Sequence, residues 1–143
     1  LILAFNIIFL AVLMPIIASM GGVAATQTLT ITVRGLALGQ IMSSNYFYLL
    51  SREITVGIVN GIFWSLILGL ISFFWFNEIT IALIILLSMV MNLFMAVISG
   101  MGIPLILKFL KLDPAIAGSV IVTTITDVVG FLSFLGLATL FYS

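Results

Sequence analysis

Four long apolar segments follow one another along the chain, separated by short stretches that hold most of the polar residues. Their approximate limits are residues 1–32, 54–76, 79–107 and 115–141. A helix needs roughly 20 apolar residues to cross a bilayer, so each segment is long enough to span a membrane. The pattern predicts an all-α integral membrane protein, with four transmembrane helices forming one bundle in a single domain over residues 1–143.

The basic residues indicate how these helices are oriented. They occupy two connections, with Arg34 and Arg52 between the first two segments and Lys108 and Lys111 between the last two. The tight turn around Glu78 contains no basic residue. Because cytoplasmic loops are enriched in Lys and Arg, we expect both basic connections in the cytoplasm and the Glu78 turn outside. Leu1 then lies outside, and we expect a further helix upstream of it.

Composition excludes several classes of function. The chain is 64% hydrophobic and 6% charged, has no net charge, and contains neither Cys nor His. It therefore lacks the residues for disulfide or thiol chemistry, for zinc sites built on Cys or His, and for His-based acid–base catalysis. No basic patch suggests a nucleic-acid partner, and no nucleophile–base pair suggests an enzyme.

The first segment contains residues that weaken a helix. Pro15 removes a backbone hydrogen bond, and Gly21 and Gly22 follow it. Two interpretations stay open at this point: a kinked helix, or a broken helix whose freed carbonyls face protein, water or a cation. The polar residues that come next favour a water-facing or interhelical surface; they are Thr26, Gln27, Thr28, Thr30 and Thr32.

The second and third segments carry stripes of small residues at a spacing of four, which places them on one helix face. The stripes are Gly57, Gly61, Ser65 and Gly69, and then Ser88, Asn92, Ala96 and Gly100. Small side chains allow two helices to approach closely, so these faces predict helix packing. We expect Asn92 to hydrogen-bond a neighbouring helix, although a place beside a transport pathway is also open.

Asp127 is the most unusual residue of the chain. The last segment begins with Asp113 as a predicted N-cap and Pro114 as the first helical residue. Asp127 then lies ~20 Å along the helix axis, well inside an apolar core that is ~30 Å thick. Ser119 and Thr123 share its helix face at a spacing of four. A charge at that depth costs at least ~2.5–3.5 kcal/mol.

Three arrangements would relieve that cost. Asp127 is neutral and hydrogen-bonded, or pairs with a cationic side chain, or faces water and binds a cation. An ion pair is disfavoured, because all four basic residues lie near the cytoplasmic edge in the predicted topology and none lies at the depth of Asp127. An ionisable residue inside a membrane span commonly marks a pathway, so Asp127 is the leading candidate for function.

Two stretches identify a family resemblance. They are "MPIIASMGGVAATQTLTITVRGLALG" and "LKLDPAIAGSVIVTTITDVVGF". The chain resembles the membrane domain of the MgtE family of magnesium channels and transporters over essentially its whole length, and these stretches resemble the family's second and fifth helices. The resemblance implies a first helix upstream, five in all, and cytosolic regulatory domains outside this chain. It also implies a multi-pass protein of the plasma or inner membrane.

The resemblance further implies a Mg²⁺ pore on the axis of a homodimer, lined by the first and last segments. Five residues stand at the family's ion-path positions: Asp127 as the acidic ion-binding residue, Thr123 one turn below it, Ser19 and Gly22 as backbone carbonyls of the broken helix, and Thr26 on the gate side. Val23 and Ala25 depart from the family's usual pattern. We expect the backbone of the first helix to come close to the facing helix at Gly22. A β-branched side chain there would restrict the backbone and crowd this contact, and would impair transport.

Three functions from different classes stay open. The first is a divalent-cation channel, for which an oxygen-only ligand set suits a hard cation such as Mg²⁺. The second is a proton- or sodium-coupled carrier that uses Asp127 as its coupling carboxylate. The third is a membrane subunit without transport activity, or an enzyme.

Overall fold

The computed structural model describes residues 2–42 and 44–142, with the side chains of residues 2–7, 116, 117 and 142 left out of the description. This part of the chain forms four α-helices: α1 (Ile2–Ala37), α2 (Tyr46–Phe76), α3 (Ile79–Phe109) and α4 (Pro114–Tyr142). All four are long and apolar enough to cross a membrane. The predicted all-α membrane bundle is therefore confirmed.

The helices are longer than the apolar segments that predicted them. α1 continues to Ala37, beyond the predicted limit at 32, and α2 already begins at Tyr46 rather than at 54. Hydropathy marks the part of a helix that suits the apolar core, whereas the backbone pattern continues into the polar interface. Arg34 and Arg52 consequently lie inside helices near their ends, where both side chains are exposed.

The short connections follow local chemistry. Asn77 adopts the left-handed conformation at the end of α2 with φ 55°, and its N–H donates to the Phe73 carbonyl at 2.7 Å. Asp113 precedes α4, and its Oδ1 accepts a hydrogen bond from the Ala115 N–H at 2.9 Å. That bond satisfies one of the free donors at a helix start, so the predicted N-cap is confirmed.

α3 lies at the centre of the bundle and packs against each of the other three helices, while α1 also packs against α4. One face of α3 meets α2: a Cβ added at Gly61 would lie 3.5 Å from Leu93 Cδ1, and Gly57 lies against Val97. Another face meets α1, where a Cβ at Gly100 would lie 2.9 Å from the Ala25 carbonyl oxygen. The prediction that both small-residue stripes serve helix packing is therefore confirmed.

Large apolar side chains cover the outside of the bundle. Aromatic residues concentrate at the two ends of α2, with Phe47 and Tyr48 76% and 71% exposed near its start, and Phe74 and Trp75 78% and 79% exposed near its end. Aromatic side chains with this distribution are typical of membrane–water interfaces. α2 therefore leaves most of its surface outside the bundle and packs chiefly on α3.

Candidate functional site

α1 is one continuous helix through Pro15, Gly21 and Gly22. The broken-helix interpretation is therefore wrong, and no non-helical backbone faces the membrane interior in this helix. Proline and glycine are tolerated inside membrane helices because neighbouring helices supply packing and hydrogen-bond donors. Asn92 of α3 is such a donor, since its Nδ2 binds the Ile17 carbonyl at 2.9 Å.

A groove of about 750 Å³ runs between α1 and α4. Its lining includes all five residues that the sequence assigned to the ion path: Ser19, Gly22 and Thr26 from α1, and Thr123 and Asp127 from α4. The other lining residues are Ala18, Val23, Gln27, Thr30 and Ile31. The structure thus brings the predicted residues together on one surface, while their roles stay predictions.

Asp127 supplies the only acidic side chain of the groove lining, and none of the lining residues is basic. It lies midway along α4, a helix of 29 residues, and is half-buried. Within residues 2–42 and 44–142, no three acidic side chains lie close enough together to hold a metal ion. One chain therefore offers a single carboxylate at this site, with no cationic side chain to neutralise it there.

The groove threonines of α1 present acceptors rather than donors. Thr26 Oγ1 donates its hydrogen to the Gly22 carbonyl at 2.8 Å, and Thr30 Oγ1 donates to the Thr26 carbonyl at 2.8 Å. Each hydroxyl has one hydrogen, so only its oxygen lone pairs remain for a ligand. The Gly22 carbonyl accepts this bond in addition to its place in the helix, which leaves it less available as an ion ligand than the sequence suggested.

The close approach between helices is at Gly21, not at Gly22. A Cβ added at Gly21 would lie 2.7 Å from Asn92 Cγ, whereas one at Gly22 would meet nothing nearer than Thr126 Oγ1 at 4.0 Å. Gly130 of α4 borders the same amide, because a Cβ there would lie 3.0 Å from Asn92 Nδ2. Gly21 and Gly130 therefore leave the space that the Asn92 side chain occupies.

Asn92 is fully buried where α1, α3 and α4 meet, directly behind the groove. Its Nδ2 donates to the Ile17 carbonyl of α1, and its Oδ1 is buried with no hydrogen-bond partner among the described residues. The predicted interhelical hydrogen bond is confirmed. A place beside a pathway was left open for Asn92, but its contact with both groove helices was not predicted, because the spacing of small residues on each helix does not show which glycines contact the same amide.

These features define a multi-pass helical membrane protein with a groove that carries several hydroxyl groups and one carboxylate, which lies midway along the last helix. The sequence model of the MgtE family, described as a divalent cation transporter, matches residues 14–137. The chain belongs to this family, as the resemblance predicted.

Curated relatives agree with this assignment. The chain is 32% identical over 136 residues to the magnesium transporter MgtE of Bacillus subtilis (strain 168), covering 95% of this chain and 30% of that protein. It is 30% identical over 132 residues to the magnesium transporter MgtE of Enterococcus faecalis, covering 92% of this chain and 29% of that protein. The protein of the same name from Thermus thermophilus is 29% identical over 132 residues, with the same coverage. The chain thus spans less than a third of the length of these relatives.

Proposed function

We propose that the protein carries Mg²⁺ across the membrane along the α1–α4 groove, with Asp127 as the ion-binding carboxylate. The observation that carries this proposal is the lining of the groove. Asp127 and the threonine oxygens lie on the same surface, and no lining residue is basic. Such a lining attracts cations and repels anions. The relatives named magnesium transporters indicate which cation is carried.

The dimensions of the groove suit a hydrated ion. Mg²⁺ prefers octahedral oxygen ligands and gives up its water reluctantly. Six waters occupy ~180 Å³ at ~30 Å³ each, and the groove is open along the surface of the bundle with a volume of about 750 Å³, so it does not exclude an ion with its waters. The coordinated waters point their hydrogens outward, toward the lone pairs of Thr26, Thr30 and Asp127. The chain's residues therefore bind the hydration shell, and no complete cage of protein ligands is needed.

We further propose that the pore is formed on the axis of a homodimer. One Asp127 supplies a single negative charge, which does not balance a divalent ion in a groove whose remaining lining is neutral. A two-fold axis beside the groove would bring a second carboxylate to the same ion. Exposed apolar residues at the groove, Val23 and Ile31 at 55% and 57%, are compatible with burial against a second copy.

A coupled carrier is the second candidate, because a lone carboxylate in a membrane groove can also bind and release a proton. Uptake of Mg²⁺ into proteoliposomes, followed with an enclosed Mg²⁺-sensitive dye, distinguishes the two. We expect uptake driven by the Mg²⁺ gradient and the membrane voltage alone, unchanged when a protonophore collapses the proton gradient or when equal Na⁺ concentrations on both sides remove the Na⁺ gradient. Uptake that stops under either condition would favour the carrier.

The dimer axis makes a separate prediction. Val120 lies on the same face of α4 as Thr123 and Asp127 and is 68% exposed. We expect a cysteine introduced there (Val120→Cys) to form disulfide-linked dimers under mild oxidation, because the two copies would face each other across the axis. The measurement is non-reducing gel electrophoresis of protein oxidised in membranes.

The matched control is Leu70→Cys, on α2 and 57% exposed, which we expect to stay monomeric. Gly130, although close to Asp127 in sequence, is unsuitable for this test because its Cβ would contact Asn92 inside the bundle. Equal cross-linking at Val120 and Leu70, or at neither, would argue against an axis beside the groove.

A further inference from the structure

A second, smaller cavity lies between α1, α2 and α3 and has a volume of about 140 Å³. Four polar side chains line it, namely Gln27 and Thr28 from α1, and Glu53 and Asn60 from α2. We call this cavity the Glu53 niche. Asp127 and Thr123 do not contribute to its lining, whereas Gln27 and Ile31 border both the niche and the groove.

Thr28 points to a ligand in this niche. The hydroxyls of Thr26, Thr30 and Thr32 each donate to the carbonyl four residues earlier at 2.8 Å. Thr28 is only 6% exposed, yet its hydroxyl has no hydrogen-bond partner among the described residues. Because the residue is buried while its oxygen opens into the niche, the hydroxyl is free to bind a ligand there.

The orientation of Thr28 supports the same conclusion. Its methyl group packs against α3, because a Cβ added at Gly100 would lie 3.0 Å from Thr28 Cγ2. The other branch of this β-branched side chain is the hydroxyl, and Thr28 lines the niche. With its methyl group against α3, Thr28 makes no hydrogen bond between its hydroxyl and its own helix.

Charge selects the kind of ligand. Glu53 is half-buried, and no basic residue lines the niche. The nearby Arg34 and Arg52 are exposed at the helix ends. One carboxylate balances one positive charge, whereas a divalent ion would leave a net positive charge beside the apolar side chains of Leu93 and Val97. Hydroxyl and amide oxygens complete a ligand set that suits a hard monovalent cation.

We propose that the Glu53 niche binds one alkali-metal cation, such as Na⁺, through the Glu53 carboxylate and the oxygens of Thr28, Gln27 and Asn60. The niche has room for the ion and a few waters, at ~30 Å³ per water. The bound ion joins α2 to α1, two helices that otherwise each pack chiefly on α3 or α4. Because Gln27 and Ile31 border both cavities, the ion also fixes the α1 face that forms one wall of the groove.

The test measures binding of radioactive Na⁺ to the purified protein at constant ionic strength, with N-methyl-D-glucamine as the replacement cation. All variants carry Asp127→Asn, so the groove carboxylate does not contribute and the result is independent of the proposed Mg²⁺ transport. We expect this parent to bind one Na⁺ per chain. Adding Glu53→Gln should weaken binding roughly tenfold or more, because a charged ligand is lost. Thr28→Val, which keeps the side-chain shape, should weaken it several-fold.

Two matched controls remove the same chemical groups elsewhere. Glu78→Gln changes a carboxylate in the α2–α3 turn, and Thr55→Val removes an exposed hydroxyl that already bonds the Ser51 carbonyl at 2.9 Å. Both should bind Na⁺ like the parent, and size-exclusion profiles confirm that each variant is folded. If Glu53→Gln does not fold, Thr28→Val decides the outcome.

Three results would overturn the proposal. The first is Na⁺ binding that Glu53→Gln and Thr28→Val leave unchanged. The second is the absence of Na⁺ binding in the Asp127→Asn parent. The third is Glu53-dependent binding of Mg²⁺ in preference to Na⁺, which would make the niche a divalent site.

Discussion

We expect the Asp127→Asn variant to lose Mg²⁺ binding and Mg²⁺ uptake while keeping its fold. Asn has nearly the same shape as Asp, and no described residue hydrogen-bonds the Asp127 carboxylate, so the bundle does not depend on its charge. In the proposed dimer the substitution removes two negative charges from one ion. Each charge-assisted contact is worth about 1.5–3 kcal/mol, so Mg²⁺ affinity should fall by a factor of roughly 10²–10⁴.

Calorimetric titration of the purified protein and dye-monitored uptake into proteoliposomes measure the two effects. Glu78→Gln is the matched control, since it removes a carboxylate from the turn between α2 and α3, away from the groove. Its binding and uptake should equal those of the unmodified protein. Unchanged Mg²⁺ uptake in Asp127→Asn would mean that Asp127 is a structural acid and that the ion takes another route.

The second large effect is expected at Gly21. A methyl group there would lie 2.7 Å from Asn92 Cγ, and Asn92 is fully buried, so its side chain would have to shift among packed neighbours. Such overpacking costs about 1–3 kcal/mol of folding free energy. Gly22→Ala is the matched control one residue away, where the nearest atom is 4.0 Å from the new methyl. It should be neutral or stabilise the helix by up to about 0.5–1 kcal/mol.

Thermal unfolding of both variants in the same detergent measures this difference. A double variant, Gly21→Ala with Asn92→Ala, tests its cause, because truncating Asn92 makes room for the methyl. We expect the double variant to lose less stability than the sum of its single variants, which is the sign of a direct contact. Equal unfolding temperatures for Gly21→Ala and Gly22→Ala would contradict the packing described for α1 and α3.

Local features of the sequence predicted the elements well. Apolar runs predicted four membrane helices, the residues Asp113 and Pro114 predicted the start of α4, and the glycine spacing on α2 predicted its packing face. These features depend on periodicity and on chemistry within one or two turns, which a single sequence displays. The bounds of α1 and α2 were less accurate, because hydropathy does not report helix that continues beyond the apolar core.

Features that depend on how helices rotate against each other were less predictable. Pro15, Gly21 and Gly22 left a kinked and a broken helix equally open when considered alone, and the structure shows a continuous α1 that contacts α3 and α4. The same contacts make Gly21 the close approach and leave space at Gly22. A helix rotation of ~100° separates neighbouring residues, and periodicity alone does not fix that angle.

The candidate site shows both cases. Thr123 and Asp127 share a face of α4 by their spacing, and that much follows from helix geometry. Residue spacing does not show which face of α1 lies opposite Thr123 and Asp127. The family resemblance, rather than spacing, predicted that face. The structure places Ser19, Gly22 and Thr26 on that face. The sequence did not predict the Glu53 niche, because its lining residues come from three helices and no recognisable spacing connects Thr28 with Glu53.

The aromatic residues at the two ends of α2 determine the tilt of this helix relative to the bilayer. At ~1.5 Å per residue, Tyr48 and Trp75 are separated by ~40 Å along the helix axis. That length is close to the ~40–45 Å thickness of a bilayer with its headgroup regions. With rings anchored at both surfaces, α2 fits such a bilayer nearly upright, whereas a thinner bilayer would force it to tilt. Because the other helices pack with α2 into one bundle, its tilt also sets the depth at which Asp127 meets the membrane electric field.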